Sequence, residues 1–299
     1  MRIDIVEAKT KNSKTKIIVV LLIVVIILSA IFGVKYSKTY KQNCISNMKV
    51  LVEESSITNK GELTHSKLEE IESENKTLLP IYSENAKQKM SSIYNDNSKI
   101  AYLTFDDGPS QAVTPLILDL LKKENIKATF FVLGTNVKAN PEILKRAYIE
   151  GHYIANHGYS HNYSKIYKNA ESVLEEYNKT EKLIQQTIEN REYSSYLFRF
   201  PGGFEGGKYA KIKKQAGKLL NKNNIFYLDW NVLTGDAQGA NTKEKILKNI
   251  KKYTANKRNI VVLMHDSSSK ILTYESLRQV IEFLRGEGYT FSNFYDIMK

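Results

Sequence analysis

The stretch TFDDGP, residues 104–109, decides how this sequence is interpreted, because it combines a fold signal with a chemical one. It follows the apolar run IAYL at 100–103, and it sets Asp106 and Asp107 where a predicted buried strand ends and a Gly-Pro turn begins. Unpaired buried charge is strongly unfavourable, so a metal ion or a catalytic partner is expected to stabilise the pair. The alternative is a pair of ordinary turn aspartates.

Downstream of this stretch, short apolar runs alternate with amphipathic runs as far as the C-terminus. Strands are predicted at 100–105, 128–133, 153–155, 196–200, 225–228 and 259–264, and helices at 114–123, 141–150, 170–188, 209–220, 243–253 and 272–285. Alternating strands and helices over about 200 residues predict an α/β fold with a parallel sheet closed as a barrel, whose chemistry lies at the carboxyl ends of the strands.

Polar residues follow five of the predicted strands. They are Asp106-Asp107 after the first, His157 and His161 after the third, Arg199 at the end of the fourth, Asp229-Trp230 after the fifth and His265-Asp266 after the sixth. Because the carboxyl ends of parallel strands meet at one end of a barrel, we expect these side chains to face one another.

The segment HGYSH, residues 157–161, is the candidate metal-binding motif. Histidines four residues apart lie on one face of a helical turn, although such pairs also occur on ordinary surfaces. Two imidazoles and one of the two aspartates would leave open positions on Zn²⁺, the pattern of a catalytic site, and Co²⁺, Ni²⁺ or Mn²⁺ could replace it. The other aspartate would be free for acid–base work, with His265 as a second proton-transfer group or as an ordinary strand-end histidine.

The N-terminal third of the chain has a different character. Residues 1–16 are polar and predict a short cytoplasmic tail, and residues 17–34 form an uncharged apolar run. At about 1.5 Å per residue this run is roughly 27 Å long as a helix, enough for a bilayer core of about 30 Å. It predicts a membrane anchor with the C-terminal side outside; a cleaved signal peptide is the alternative. Residues 35–97 are rich in Lys, Glu, Ser and Asn and predict an extracellular spacer before a domain at 98–299.

Composition narrows the partners and the compartment. The net charge of +12 favours an anionic cell-wall polymer or membrane surface, or simply a solvated lysine-rich surface. No nucleic-acid-binding motif is present, so nucleic acid is not an expected partner. Because Cys44 is the single cysteine, no intrachain disulfide can form. The lack of disulfides is ordinary for bacterial proteins outside the cytoplasm. Composition does not predict an oligomeric state.

Five short motifs in order resemble the polysaccharide deacetylases that share the NodB homology domain, carbohydrate esterase family 4. They are TFDDGP at 104–109, HGYSH at 157–161, RFPGG at 199–203, DW at 229–230 and LMHD at 263–266. The resemblance implies a distorted (β/α) barrel of about seven strands and metal-dependent removal of N-acetyl groups from sugars. An anchored, cationic member without disulfides is most similar to bacterial peptidoglycan N-acetylglucosamine deacetylases, which are expected to confer lysozyme resistance.

Other activities and one non-enzymatic role are also open. The substrate could be chitin, chitooligosaccharide or xylan, or the muramic acid residue of peptidoglycan. A catalytically silent wall-binding protein is the non-enzymatic alternative, which the presence of every chemical motif disfavours.

The resemblance also implies roles for individual residues. Asp107, His157 and His161 would bind the metal, Asp106 would be the general base and His265 the general acid. In the second motif Gly158 stands where the family usually has Ser or Thr, which predicts a less firmly held histidine loop.

The resemblance assigns supporting roles to the remaining motif residues. Arg199 would pair with Asp106, and Asp229 would hydrogen-bond His265, with Asp236 as a second candidate for that partner. On the substrate side, the metal and the backbone N–H near Gly202 would stabilise the developing oxyanion, and Pro201 would contact the substrate. Trp230 and Leu263 would line the pocket for the acetyl methyl group.

Overall fold

The computed structural model describes residues 79–298. The strands are β1 Ile100–Asp106, β2 Thr129–Val132, β3 Tyr153–Asn156, β4 Leu197–Phe198, β5 Phe226–Tyr227, β6 Val232–Leu233, β7 Ile260–His265 and β8 Thr290–Ser292. The helices are α1 Glu84–Ser92, α2 Thr114–Lys123, α3 Gly134–Ala139, α4 Pro141–Ile149, α5 Tyr163–Ile166, α6 Ala170–Thr187, α7 Ala210–Lys222, α8 Lys243–Thr254 and α9 Ile271–Gly286, with a final 3₁₀ turn at Phe294–Asp296.

The sheet is parallel at every pairing and curls into a partial barrel. Its strands follow the order β5-β4-β3-β2-β1-β7-β6, while β8 pairs with the first half of β1. The edge strands β5 and β6 are not paired with each other, so within residues 79–298 the barrel stays open along that side. The predicted α/β architecture is confirmed in this form, a half-closed version of the distorted barrel.

Alternation along β1 separates two hydrophobic layers. Leu103 and Phe105 pack in the large cluster that joins the sheet to outer helices such as α2 and α9. Tyr102 belongs to a second cluster, on the concave face. Asp106 lies four residues further along the strand and therefore on the same face. Both faces of β1 are buried, as expected for a central parallel strand.

Helix α1 covers the concave face, although its residues lie within the predicted spacer at 35–97. Ala86 and Met90 of this helix, followed by Ile93, are buried in the same cluster as Tyr102 and Phe131. The Ser83 hydroxyl caps the helix by accepting a hydrogen bond from the Ala86 N–H. Leu79, before α1, also packs against the large cluster, so the packed domain begins at least 19 residues before the predicted boundary at 98.

The predicted elements agree with the observed ones where the apolar pattern is long. The predicted helix at 114–123 has the observed bounds, and most other predicted ends differ by one or two residues. The predicted strand at 196–200 contains only the two-residue β4, and a turn begins at Pro201. The sequence prediction missed α1, α3, α5, β6 and β8, which are short or largely polar.

The predicted tail, anchor and most of the spacer lie outside the described residues. Among the helices between residues 79 and 298, none has the length and apolar character needed to cross a membrane. The anchor prediction concerns residues 17–34 and is not addressed by that finding.

Candidate metal and catalytic site

The two aspartates at the end of β1 are separated by a change of backbone direction. Asp106 is the last strand residue and is 2% exposed, whereas Asp107 has a left-handed φ of 75°. Asn136 holds the turn by donating a hydrogen bond from Nδ2 to the Asp107 carbonyl, at 2.7 Å. The bend that lets both side chains enter one site therefore begins at Asp107 itself.

Asp107, His157 and His161 form a cluster suited to a metal ion. Their ligand atoms all lie within 4.8 Å of one another. Asp107 Oδ1 is 3.6 Å from His157 Nε2 and 3.5 Å from His161 Nε2, and this buried oxygen has no hydrogen-bond partner among the described residues. A divalent cation would satisfy the oxygen, so the donor set fits the metal that the sequence predicts.

The protonation of His157 also suits metal binding. Its Nδ1 lies 2.7 Å from the Arg199 carbonyl, which can only accept a hydrogen bond, so Nδ1 carries the proton and Nε2 presents a lone pair to the cluster. Burial lowers the pKa of His157 to about 3. The imidazole is therefore neutral near pH 7, as a metal ligand must be.

The loop that carries the histidines is not the helical turn expected from their four-residue spacing. Gly158 has φ of 84° and His161 has φ of 52°, so two left-handed residues bring the rings together, with centroids 5.4 Å apart. Glu176 on α6 accepts hydrogen bonds from the N–H groups of Tyr159 and Ser160, and Thr180 donates to the Gly158 carbonyl. These α6 contacts support the loop, and the motif did not reveal them.

Asp106 forms a buried ion pair with Arg199, as expected. The Arg199 Nη1 atom donates to Asp106 Oδ1 at 2.8 Å and to Thr104 Oγ1 at 2.7 Å, and the guanidinium lies 3.9 Å above the Phe131 ring. Burial raises the pKa of Asp106, while the Arg199 guanidinium opposes that rise. A raised pKa brings a carboxylate closer to the range that a general base needs.

The hydrogen-bond partner of His265 is Asp236, and the prediction that Asp229 fills this position is wrong. Asp236 Oδ1 is 2.9 Å from His265 Nδ1, and its Oδ2 accepts from the His265 N–H and from Thr273. Burial lowers the pKa of His265, but the hydrogen bond and charge of Asp236 more than offset this, so the pKa lies above its usual value. The pair favours an imidazolium at this position.

Asp229 instead holds the turn that follows Pro201. Both of its carboxylate oxygens accept from the Phe204 N–H at 2.9 Å, and Lys213 donates to the Gly203 carbonyl. The Gly203 N–H donates to Phe200, whereas the Gly202 N–H donates to no acceptor within residues 79–298. That free donor is the one predicted to bind an oxyanion.

Trp230 and Leu263 lie on the inner side of the sheet near this turn. The Trp230 ring would be 3.1 Å from a Cβ at Gly203, and it packs against the concave-face cluster. Leu263 is 2% exposed and pairs with Thr104 across the β1–β7 register. Their predicted part in a methyl pocket stays a prediction.

Comparison with known proteins identifies the family of this chain. The family model described as polysaccharide deacetylase matches residues 94–220. A peptidoglycan-N-acetylglucosamine deacetylase of Bacillus cereus is 35% identical over 203 residues, which cover 66% of this chain and 70% of that protein.

Solved structures show the same likeness. A Streptococcus mutans CE4 esterase superposes with a TM-score of 0.64 at 32% identity, covering 72% of this chain and 92% of that one. The catalytic domain of a Eubacterium rectale peptidoglycan N-acetylglucosamine deacetylase gives a TM-score of 0.60 at 31% identity, covering 67% and 90%. The chain therefore belongs to the polysaccharide deacetylase family.

Proposed function

We propose that this protein removes N-acetyl groups from N-acetylglucosamine residues of cell-wall peptidoglycan, leaving free amines and releasing acetate. The observation that carries the proposal is the arrangement at the carboxyl ends of β1, β3 and β7. There the Asp107–His157–His161 cluster lies beside an Arg199-paired Asp106 and an Asp236-paired His265. The names of the relatives support peptidoglycan as the polymer.

A divalent cation would be held by Asp107, His157 and His161, with Zn²⁺ the first choice and Co²⁺, Ni²⁺ or Mn²⁺ as substitutes. When bound, it would polarise the acetyl carbonyl and lower the pKa of water. Asp106 would take a proton from the attacking water, and its contact with Arg199 would orient the carboxylate toward that proton. The amide C–N bond breaks after water adds to the carbonyl carbon.

The leaving nitrogen needs a proton, and His265 would donate it. Asp236 holds the imidazole through Nδ1, which leaves Nε2 to face the substrate. The free N–H of Gly202 would donate a hydrogen bond to the developing oxyanion, with Asp229 fixing the adjacent turn. Trp230, Leu263 and Pro201 would surround the acetyl group.

The proposal includes the location of the enzyme. An anchor at 17–34 would hold the catalytic domain outside the membrane of a bacterium, facing its glycan substrate. The net charge of +12 is suited to an anionic wall. Fractionation of cells, with protease added to intact protoplasts, tests this arrangement; a protected, soluble protein would contradict it.

Acetate release from purified peptidoglycan and from N-acetylglucosamine oligomers tests the activity. A chelator should abolish release, and Zn²⁺ or Co²⁺ should restore it. Asp107→Ala should lose bound metal and activity together, whereas Asp106→Asn should lose activity while retaining metal. Full activity of the Asp107→Ala protein in excess chelator would contradict the metal assignment.

Mass spectrometry of muramidase fragments identifies the modified sugar. Loss of an acetyl group on glucosamine supports the proposal, and loss on muramic acid favours the muramic-acid-specific alternative. Activity on chitooligosaccharide or acetylated xylan alone would favour those polymers. Wall binding without acetate release would indicate a silent binding protein. In cells, loss of the gene should increase lysozyme sensitivity.

A further inference from the structure

Tyr163, the first residue of α5, lies between the histidine loop and the turn after Pro201. Its ring centroid is 5.4 Å from that of His161. A Cβ placed on Gly202 would be 2.6 Å from the Tyr163 hydroxyl oxygen, well inside contact distance. The phenol of Tyr163 therefore occupies the space into which a side chain at position 202 would project.

The surrounding residues fix Tyr163 in this place. Asn162 caps α5 by accepting hydrogen bonds from the Ser164 and Lys165 N–H groups. The Tyr163 ring packs beside Tyr167, with centroids 5.8 Å apart, and the Tyr167 hydroxyl donates to the Pro201 carbonyl at 2.6 Å. The same aromatic row thus contacts both Tyr163 and the turn that carries Gly202.

Tyr209 also packs against Tyr163. Its ring meets Tyr163 edge to face, with centroids 6.3 Å apart. Packing from Tyr167 and Tyr209 leaves the ring of Tyr163 a defined orientation before any ligand binds. A preordered ring costs less entropy on binding than a mobile one.

Part of the Tyr163 side chain is open to solvent and could contact a ligand. The residue is 40% exposed, and its hydroxyl has no hydrogen-bond partner in the part of the chain that the structure describes. A tyrosine offers an apolar ring and a polar tip, which suits a ligand with both C–H faces and hydroxyl groups. Sugars have this character, and the ring stands next to the groups assigned to the acetyl chemistry.

We propose that Tyr163 is a substrate-binding residue: its ring packs against the N-acetyl sugar and its hydroxyl hydrogen-bonds that sugar, in the space left by the absent side chain of Gly202. The inference rests on the proposed deacetylase function and names a contact of that same site. It also predicts that Gly202 and Tyr163 are coupled, because a side chain at 202 and the phenol exclude each other.

Kinetics of the full chain on an N-acetylglucosamine tetramer test the proposal. Tyr163→Phe removes the hydroxyl and should lower kcat/KM about 2- to 10-fold, and Tyr163→Ala should lower it about 10- to 100-fold, mainly through KM. Tyr253→Phe is the matched control, since that tyrosine is half-buried on α8, before the amino end of β7. It should behave as wild type.

Two further measurements separate a substrate contact from a structural role. Metal content of Tyr163→Ala should equal that of the wild type; reduced metal content would show that Tyr163 supports His161 and would overturn the proposal. Gly202→Ala should lower kcat/KM by a smaller factor in the Tyr163→Ala protein than in the wild type. The clash between the new Cβ and the Tyr163 hydroxyl is gone, while the backbone strain at φ of 74° is unchanged. Equal factors would contradict the coupling.

Measuring substrate binding in an inactive variant tests the Tyr163 contact separately from the deacetylase proposal. In the Asp106→Asn protein, the Kd for the tetramer should rise about 10-fold or more when Tyr163→Ala is added. An unchanged Kd would overturn the assignment of Tyr163 even if wild-type protein releases acetate. A weakened Kd with a wild type that releases no acetate would support Tyr163 and refute the proposed reaction.

Discussion

Replacement of Asp236 by Asn gives a direct test of how His265 is tuned. The side chain loses its charge but keeps its size, in a position that contacts the ring and backbone of His265 and the hydroxyl of Thr273. The bond to the ring is charge-assisted when His265 is protonated, and a hydrogen bond to a charged group contributes about 1.5–3 kcal/mol. At about 1.4 kcal/mol per factor of ten, kcat/KM should fall about 10- to 150-fold.

The pH profile should change in a defined direction. A general acid works only while protonated, so activity is lost as pH rises through the pKa of His265. Asp236 raises that pKa, and its replacement by Asn should therefore move the alkaline limb of kcat/KM to lower pH. Initial rates of acetate release across the pH range measure both effects.

Asp229→Asn is the matched control, because it makes the same chemical change beside the same site. Its carboxylate binds the Phe204 N–H and does not contact His265, so the alkaline limb should stay in place even if the rate falls. A shift of the limb in Asp229→Asn and none in Asp236→Asn would refute the assignment of the partner.

Three further predictions concern stability and are measured by denaturant unfolding. Met90→Ala should lower the free energy of unfolding by about 2–5 kcal/mol, because α1 is part of the core; no change would show that α1 is dispensable. Gly108→Ala should cost about 1–3 kcal/mol or more, since a Cβ would be 2.1 Å from Asp266 Oδ2, and the cost should shrink in the Asp266→Ala background. Burial lowers the pKa of His152 to about 3 from an ordinary value of 6.5, so below pH 6.5 only the unfolded chain gains this proton and stability should fall by up to about 1.4 kcal/mol per pH unit. His152→Asn should lack this part of the pH dependence, and an identical profile in the variant would contradict the reasoning.

The sequence could predict the architecture of the site because strand direction follows from simple patterns. β1 and β7 are long apolar runs that end in Asp106 and His265, and in a parallel sheet such ends meet. The register confirms this, with Asp106 directly opposite His265. The pairing of Arg199 with Asp106 follows from the same geometry, since β4 ends one residue before Arg199.

The features that the sequence prediction missed depend on short or polar segments. Asp236 follows β6, a strand of only two residues, whereas Asp229 follows the more obvious run at 225–228, so the rule of polar residues after strands selected the wrong carboxylate. Helix α1 buries only Ala86 and Met90 within its bounds, which is too sparse a pattern to distinguish from a spacer.

The divided roles of Asp106 and Asp107 follow from one left-handed residue and one arginine. Both carboxylates lie near His157, with Oδ2 of Asp106 at 3.8 Å and Oδ1 of Asp107 at 3.6 Å from Nε2, so proximity to this ligand does not distinguish them. Without the φ of 75° at Asp107, strand alternation would direct its side chain to the opposite face of the sheet.

The partners of the two carboxylates then separate their chemistry. Arg199 already neutralises Asp106, which leaves that carboxylate oriented for a proton and poorly suited to neutralise a cation as well. Among residues 79–298, no cationic side chain pairs with the buried oxygen of Asp107, which lies within 3.6 Å of both imidazoles, so Asp107 is the carboxylate that a divalent ion would stabilise. The adjacent residues can therefore supply a metal ligand and a base from one turn.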